Sequence, residues 1–146
     1  MRKSRILIAV LALSLAWIPE SRAARYSHSG SGSQRVVIDK SSQVLRAYEG
    51  NQMVFQSRVS TGKPGKRTPS GTFRARGKER MRYSSRYHNA PMPYSVHLGG
   101  HYFIHGFSSV PKYPASRGCI RLPVGAAREF FAWINPGTPV SIRGSH

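Results

Sequence analysis

A mainly β fold with one principal helix is what the sequence predicts, and three observations lead there. The 146 residues include 14 glycines and 10 prolines, a balance that favours turns and strands over a helical bundle. From Val36 onwards the apolar residues come in short runs separated by turn formers. Only one stretch, Pro123 to Ile134, keeps a helical period. A chain of this length is expected to form one domain large enough to bury a core.

Residues 1–23 read as a secretory signal. Arg2, Lys3 and Arg5 form a charged start, Ile6 to Ile18 is apolar except for Ser14, and Ser21-Arg22-Ala23 places small residues where a signal peptidase reads, so cleavage is expected after Ala23. A retained anchor is the rival reading. A 13-residue helix, Ile6 to Ile18, reaches only roughly 20 Å, short of a hydrocarbon core of about 30 Å. Residues 24–33 are a Ser/Gly-rich flexible tail with nothing to bury. The folded domain is expected over 34–144.

Within it, Val36 and Ile38, then Val44 to Tyr48, then Met53 to Val59 are split by Lys40-Ser41-Ser42 and Glu49-Gly50-Asn51, which predicts a meander of three antiparallel strands. The next segment, rich in glycine and proline from Gly62 to Gly71, is a loop delivering a strand near Thr72 to Ala75. Arg76 to Pro93 reads as a basic, loop-like stretch. Strands follow at Tyr94 to Leu98 and His101 to His105, with Gly99-Gly100 as a two-residue hairpin turn. The helix from Pro123 to Ile134 has Pro in its first turn, Ala126, Ala127, Phe130 and Ile134 on one face, and a stop at Asn135-Pro136-Gly137. Trp133 reads as core, and Thr138 to Arg143 closes the chain as a strand.

The formal charge is +18, and removal of the first 23 residues, which carry four of the bases and one acid, leaves +15. Such a balance speaks of partners and solubility rather than fold. The basic run Lys63 to Arg86, whose one acid is Glu79, reads as a solvated face in which Lys78, Arg80 and Arg82 are exposed. Export separates it from nucleic acid, so none is expected as a partner. Attraction to anionic envelope polymers is the secondary role expected of that face.

Export also gives meaning to the single cysteine. A secreted domain built on disulfides carries an even number, whereas Cys119 stands as a free thiol in an oxidising space. One reading is a small buried apolar residue. Its neighbours favour chemistry. His105 ends a predicted strand, Gly106 turns the chain, and a loop leads to Ser116-Arg117-Gly118-Cys119-Ile120-Arg121. A nucleophilic thiol needs a base, which His105 can be, and positive surroundings for its thiolate, which Arg117, Arg121 and the amino end of the following helix supply. Gly118 frees the backbone to aim N–H groups at an oxyanion. The alternative of a metal site at His97, His101 and His105, with Cys119 or His88, needs a helix that Gly99-Gly100 opposes, so no metal is expected.

These residues resemble the signature of the L,D-transpeptidase (YkuD-type) catalytic domain family, which runs His-Gly, a loop, then Ser-(His or Arg)-Gly-Cys-(Ile or Val)-Arg. Ser60-Thr61-Gly62-Lys63 and Thr68-Pro69-Ser70-Gly71-Thr72-Phe73 resemble a further family stretch, and Met92-Pro93-Tyr94 resembles its substrate-side loop. The similarity spans roughly Arg35 to Arg143, with a short His-to-Cys loop and Arg117 where the family more often has His. The resemblance implies a β-sandwich of mixed sheets with its principal helix after the catalytic cysteine. It implies Cys119 as nucleophile, His105 as base oriented by the Gly106 backbone carbonyl, and the Gly118 and Cys119 N–H groups as oxyanion hole. Arg121, Arg117, Ser116, Tyr94 and His97 are expected at the substrate, His97 lying near the cleft. The implied partner is the peptidoglycan stem peptide, with no cofactor, a monomeric protein and a periplasmic or wall location. Three functions stay open: acyl transfer to an amine, the same thioester ended by water, and a non-catalytic basic module that binds wall polymer.

Overall fold

The computed structural model describes residues 32–145, so the expected signal and most of the Ser/Gly tail lie outside the described residues. Ten elements follow in chain order: β1 (Gln34–Asp39), β2 (Val44–Glu49), β3 (Gln52–Arg58), β4 (Gly71–Arg74), β5 (Lys78–Tyr83), β6 (Pro91–Gly99), β7 (Tyr102–Gly106), β8 (Ile120–Leu122), α1 (Val124–Trp133) and β9 (Pro139–Arg143). They form a five-stranded sheet, β3-β2-β1-β9-β4, and a four-stranded sheet, β5-β6-β7-β8. Both are mixed, because β1 pairs β9 in parallel and β7 pairs β8 in parallel while the other neighbours are antiparallel. The mainly β, mixed-sheet architecture with one helix after Cys119 is thus as expected. No helix among the described residues is long and apolar enough to cross a membrane.

The alternation of the first strands explains the first sheet. Val36 and Ile38 on β1 face Ala47 and Leu45 across β2, and Val140 and Ile142 across β9, so two apolar rows cross three strands. All six are buried. From the second sheet Val96, Leu98, Ile104, Ile120 and Leu122 join them, with Ala127, Phe130 and Trp133 of α1. Each aliphatic chain so buried contributes about 1.5–3 kcal/mol. The helix packs on β6 and β7.

Its C-terminal carbonyls are met by side chains from far away in sequence. Gln34 Nε2 donates to Trp133 O at 2.8 Å, and Lys78 Nζ to Ile134 O at 2.8 Å. The Trp133 indole donates to Glu49 Oε1 at 2.7 Å, so the ring is core with its polar atom satisfied.

Four local expectations are corrected. Arg76 to Pro93 is not one loop but contains β5 and the start of β6. β5 is an edge strand with Glu79, Arg80, Met81 and Tyr83 exposed, so its backbone pairing with β6 defines it and no alternation betrays it. β8 was not foreseen; three residues are too few for a pattern. The β6–β7 turn is one residue later than expected, with Gly100 and His101 between the paired Gly99 and Tyr102. In α1, Pro123 is the N-cap and the buried face is Ala127, Phe130 and Trp133, Ala126 being only half-buried.

Candidate active site

The parallel register of β7 and β8 sets His105 beside Arg121 and Ile104 beside Ile120. Side chains alternate across a strand, so Ile104, Ile120 and Leu122 point into the core, each fully buried. Phe103 and His105 then share the opposite face with Cys119 and Arg121, and all four line one cleft of about 690 Å³. The strands bring together the expected histidine and cysteine from either end of a loop.

His105 is buried, and its Nδ1 lies 2.9 Å from Gly106 O. A carbonyl can only accept, so Nδ1 carries the proton and Nε2 keeps a free lone pair. Gly106 is closely packed: a Cβ there would meet Ala127 Cβ and Pro93 Cγ, both at 3.2 Å, and those neighbours would have to give by a few tenths of an ångström. Burial pushes the His105 pKa down to about 4; the Gly106 hydrogen bond opposes the shift and the Arg121 charge adds to it. The ring is neutral at physiological pH.

That shift has a stability consequence. Between the ordinary 6.5 and about 4 the unfolded chain binds a proton at this position that the folded chain does not. The contribution is complete above pH 6.5 and is lost as pH falls towards 4, amounting to roughly 3 kcal/mol. In an acid titration of unfolding free energy, His105→Gln should show a shallower slope than the parent in that window. An unchanged slope would show that His105 is not buried neutral.

The Cys119 thiol points its proton at His101 O, 3.5 Å away. Burial pushes this thiol up, and a hydrogen bond to the Phe103 backbone and the Arg121 charge pull it only part of the way back. At rest the pair is therefore neutral thiol and neutral imidazole. Arg121 still favours the anion once it forms. Its guanidinium lies 4.1 Å above the Phe107 ring.

The loop before Cys119 is held by a brace that sequence reasoning noticed only as a motif. Thr61 O accepts the N–H groups of Ala115 and Ser116, Lys63 N–H donates to Ser116 O, and Ser60 Oγ donates to Tyr113 O while accepting from Ala115 N–H. Beneath them Gln43, at φ 53°, binds Thr61 through both ends of its amide. Thr68 is central. Its hydroxyl accepts from Gly62 N–H at 2.9 Å and donates to Gly118 O at 2.7 Å, while its carbonyl accepts from the buried Lys40 Nζ at 3.0 Å. Gly118, at φ 122°, occupies a conformation that side chains rarely adopt.

Thr68→Val keeps the shape and removes both hydroxyl bonds, which should cost about 1–3 kcal/mol of stability. It should also lower kcat by about 10- to 100-fold through misplacement of the Cys119 loop. Urea unfolding and turnover would be measured with Thr68→Ser as the rescue. Equal loss in Thr68→Ser would deny the hydroxyl its positioning role.

The other expected site residues divide. His97 lines the cleft, stacked on Phe103 with ring centres 4.6 Å apart and Nε2 3.0 Å from Gly100 O. Arg117 lies on the rim with its guanidinium 4.9 Å above the Tyr87 ring. Ser116 touches the cleft, but its hydroxyl is committed inside the loop, donating to Cys119 O and accepting from Gly118 N–H at 3.1 Å, so it is a loop brace rather than a free substrate group. The Gly118 N–H, expected in an oxyanion hole, is for the same reason engaged at rest. Tyr94 is corrected: at φ 54° its ring turns towards α1 and meets Phe131 edge-on at 5.7 Å, leaving Pro91 and Met92 on the cleft. The supposed solvated trio also changes. Lys78 caps α1, Arg82 lies 4.7 Å above Phe103 in the cleft and pairs with Glu79, and only Arg80 is simply exposed. Among the described residues no three His, Cys, Asp or Glu side chains gather as metal ligands.

Comparison with curated proteins returns no match. Solved structures do match. An L,D-transpeptidase from Stackebrandtia nassauensis is 20% identical with a TM-score of 0.73, over 86% of this chain and 62% of its own. An L,D-transpeptidase from Xylanimonas cellulosilytica is 28% identical with a TM-score of 0.71, over 79% and 62%. LdtMt1 in complex with imipenem is 23% identical with a TM-score of 0.72, over 77% and 59%. The chain thus spans about three fifths of the length of these structures. The sequence pattern of the L,D-transpeptidase catalytic domain (YkuD) matches residues 33–142, most of the chain and every strand that builds the cleft, and the chain accordingly belongs to that family.

Proposed function

We propose that the protein is a cysteine-dependent peptidoglycan L,D-transpeptidase, exported across the inner membrane to the periplasm or cell wall by its N-terminal segment. Cys119 Sγ attacks the carbonyl of the L-centre of the diamino acid in a tetrapeptide stem. His105 Nε2 takes the thiol proton and returns it to the leaving amine, so the C–N bond breaks and D-alanine departs. The thioester is then attacked by an acceptor amine, whose proton passes to His105 as the C–S bond breaks and the thiol is regenerated. The N–H of Cys119 is the backbone donor left for the oxyanion, joined by that of Gly118 if the Ser116 hydroxyl yields it.

One observation carries this reading. The imidazole of His105 is neutral, fixed by Gly106 O with its other nitrogen free, and shares a cleft with the only cysteine. Support also comes from family membership and from the relative solved with imipenem.

The test is a mass spectrum of the protein mixed with a tetrapeptide muropeptide, with and without an acceptor amine. A thioester adduct followed by an amide product is expected. Tripeptide alone, whatever the acceptor, would make the enzyme a hydrolase. No adduct at all would leave a wall-binding module. Arg121→Ala is expected to lower kcat/KM about 10- to 100-fold, since a charge-assisted contact to a stem carboxylate and the support of the anionic sulfur are both lost. Steady-state D-alanine release measures it, and a loss below threefold would remove Arg121 from the site.

A further inference from the structure

We propose that the cleft selects stem peptides whose diamino-acid carboxyl is free over stems in which that carboxyl is amidated, and that cations on two walls make the selection. The inference rests on the reading of Cys119 as the nucleophile towards stems. One wall is the turn Lys63-Pro64-Gly65-Lys66, closed by Lys66 N–H to Lys63 O at 2.9 Å with Gly65 at φ 78°, which presents Lys66 and Arg67 to the cleft. The other is the β5–β6 loop, where Ser84 Oγ accepts the N–H groups of Arg86 and Tyr87, and where Tyr87 supports the Arg117 guanidinium and donates its hydroxyl to Arg117 O at 3.4 Å. Cys119 and Arg121 lie on the same cleft.

The charges are unbalanced. Glu79 is the one acid on the cleft, and Arg82 already holds it. Lys66, Arg67, Arg86, Arg117 and Arg121 have no acidic partner among the described residues. Like charges gathered in a concavity repel each other and focus a positive potential on whatever enters. Both stems bring the carboxylate of their terminal D-alanine, but the amidated stem has one carboxylate fewer and relieves less of that repulsion than the stem whose diamino-acid carboxyl is free. The distinction is chemical as well as electrostatic. A guanidinium offers only donors; a carboxylate accepts two of them side by side, and an amide meets them with one acceptor and an opposing NH₂. Length and shape are nearly equal in the two stems, so charge and hydrogen-bond polarity decide.

The experiment uses the full chain and two synthetic tetrapeptide donors, both ending in D-alanine, one with the diamino-acid carboxyl free and the other amidated there. Release of D-alanine gives kcat/KM for each. The free donor should be favoured at least tenfold. The ratio should shrink in Arg67→Gln/Arg86→Gln and in Arg117→Gln, and should stay as in the parent in Arg80→Gln, a strand residue outside the cleft. Donors that react within twofold of each other would overturn the selection while leaving acyl transfer intact. A ratio that survives both cleft variants would overturn the assignment to these walls. If neither donor acylates Cys119, the acyl-transfer reading falls and the selection falls with it.

Discussion

Cys119→Ala should form no covalent adduct with tetrapeptide donor, while unfolding within about 1 kcal/mol of the parent. The expectation follows from how little the sulfur contributes to packing. The bond its thiol donates to His101 O is a long one, 3.5 Å, and the core face of the neighbouring β8 is made by Ile120 and Leu122. Its chemical contribution cannot be replaced, since no other thiol exists in the chain. Intact-mass spectra before and after incubation measure the adduct, and a denaturant melt measures the fold. An adduct persisting in Cys119→Ala would move the nucleophile elsewhere and undo the mechanism. Loss of the adduct together with the fold would make Cys119 a packing residue.

His105→Ala should slow acylation by ~10²-fold or more. His105 shares the cleft with the neutral thiol and its ring is fixed through Nδ1 with Nε2 free, so on the proposed mechanism its loss leaves the proton to water. His101, which meets the sulfur through its backbone carbonyl, should lose less than ~10-fold when changed to Ala. Comparable losses in the two would point to a histidine cluster acting together, and bound zinc in the purified protein would establish it. The pH profile gives a second check. Because burial holds the His105 pKa at about 4, the acid limb of kcat/KM should fall near that value and not near 6.5. A limb at 6.5 would mean that the ring is solvated in the working enzyme.

Much of this was legible in the sequence because it rests on period and on turn chemistry. Val36 and Ile38 against Leu45 and Ala47 alternate cleanly, and β1 to β3 formed as expected. His105, Gly106 and Cys119 were legible as a set because few residue types can serve a thiol nucleophile. What escaped has physical causes. β5 is an edge strand bathed on both faces, so nothing in KERMRY alternates. Tyr94 looked like part of a cleft-side loop, but its left-handed φ rotates the ring to the helix face, and no neighbour-level rule for tyrosine foretells that. The upward push of burial on the Cys119 thiol was not legible, because flanking arginines are visible in a sequence and desolvation is not. The brace residues Thr61 and Thr68 were seen only as a pattern, since their partners lie some fifty residues away: Thr68 and Gly118 are 50 apart, and Ser60 and Tyr113 are 53.

Those separations bear on how the enzyme comes into being. The cysteine loop contains no named helix or strand before β8, and what orders it comes from Ser60, Thr61 and Thr68, some fifty residues earlier in the chain, with Gln43 beneath Thr61. Contacts of such long range form late, because the loop they close must be paid for in entropy before they reward it. A partly folded chain would therefore own its histidine and its thiol without holding them in register, and competence to react should appear only in the last kinetic phase of refolding. On the acyl-transfer reading proposed above, assembly of the two sheets acts as a safeguard: the thiol becomes competent to react at the moment when the domain around it is complete.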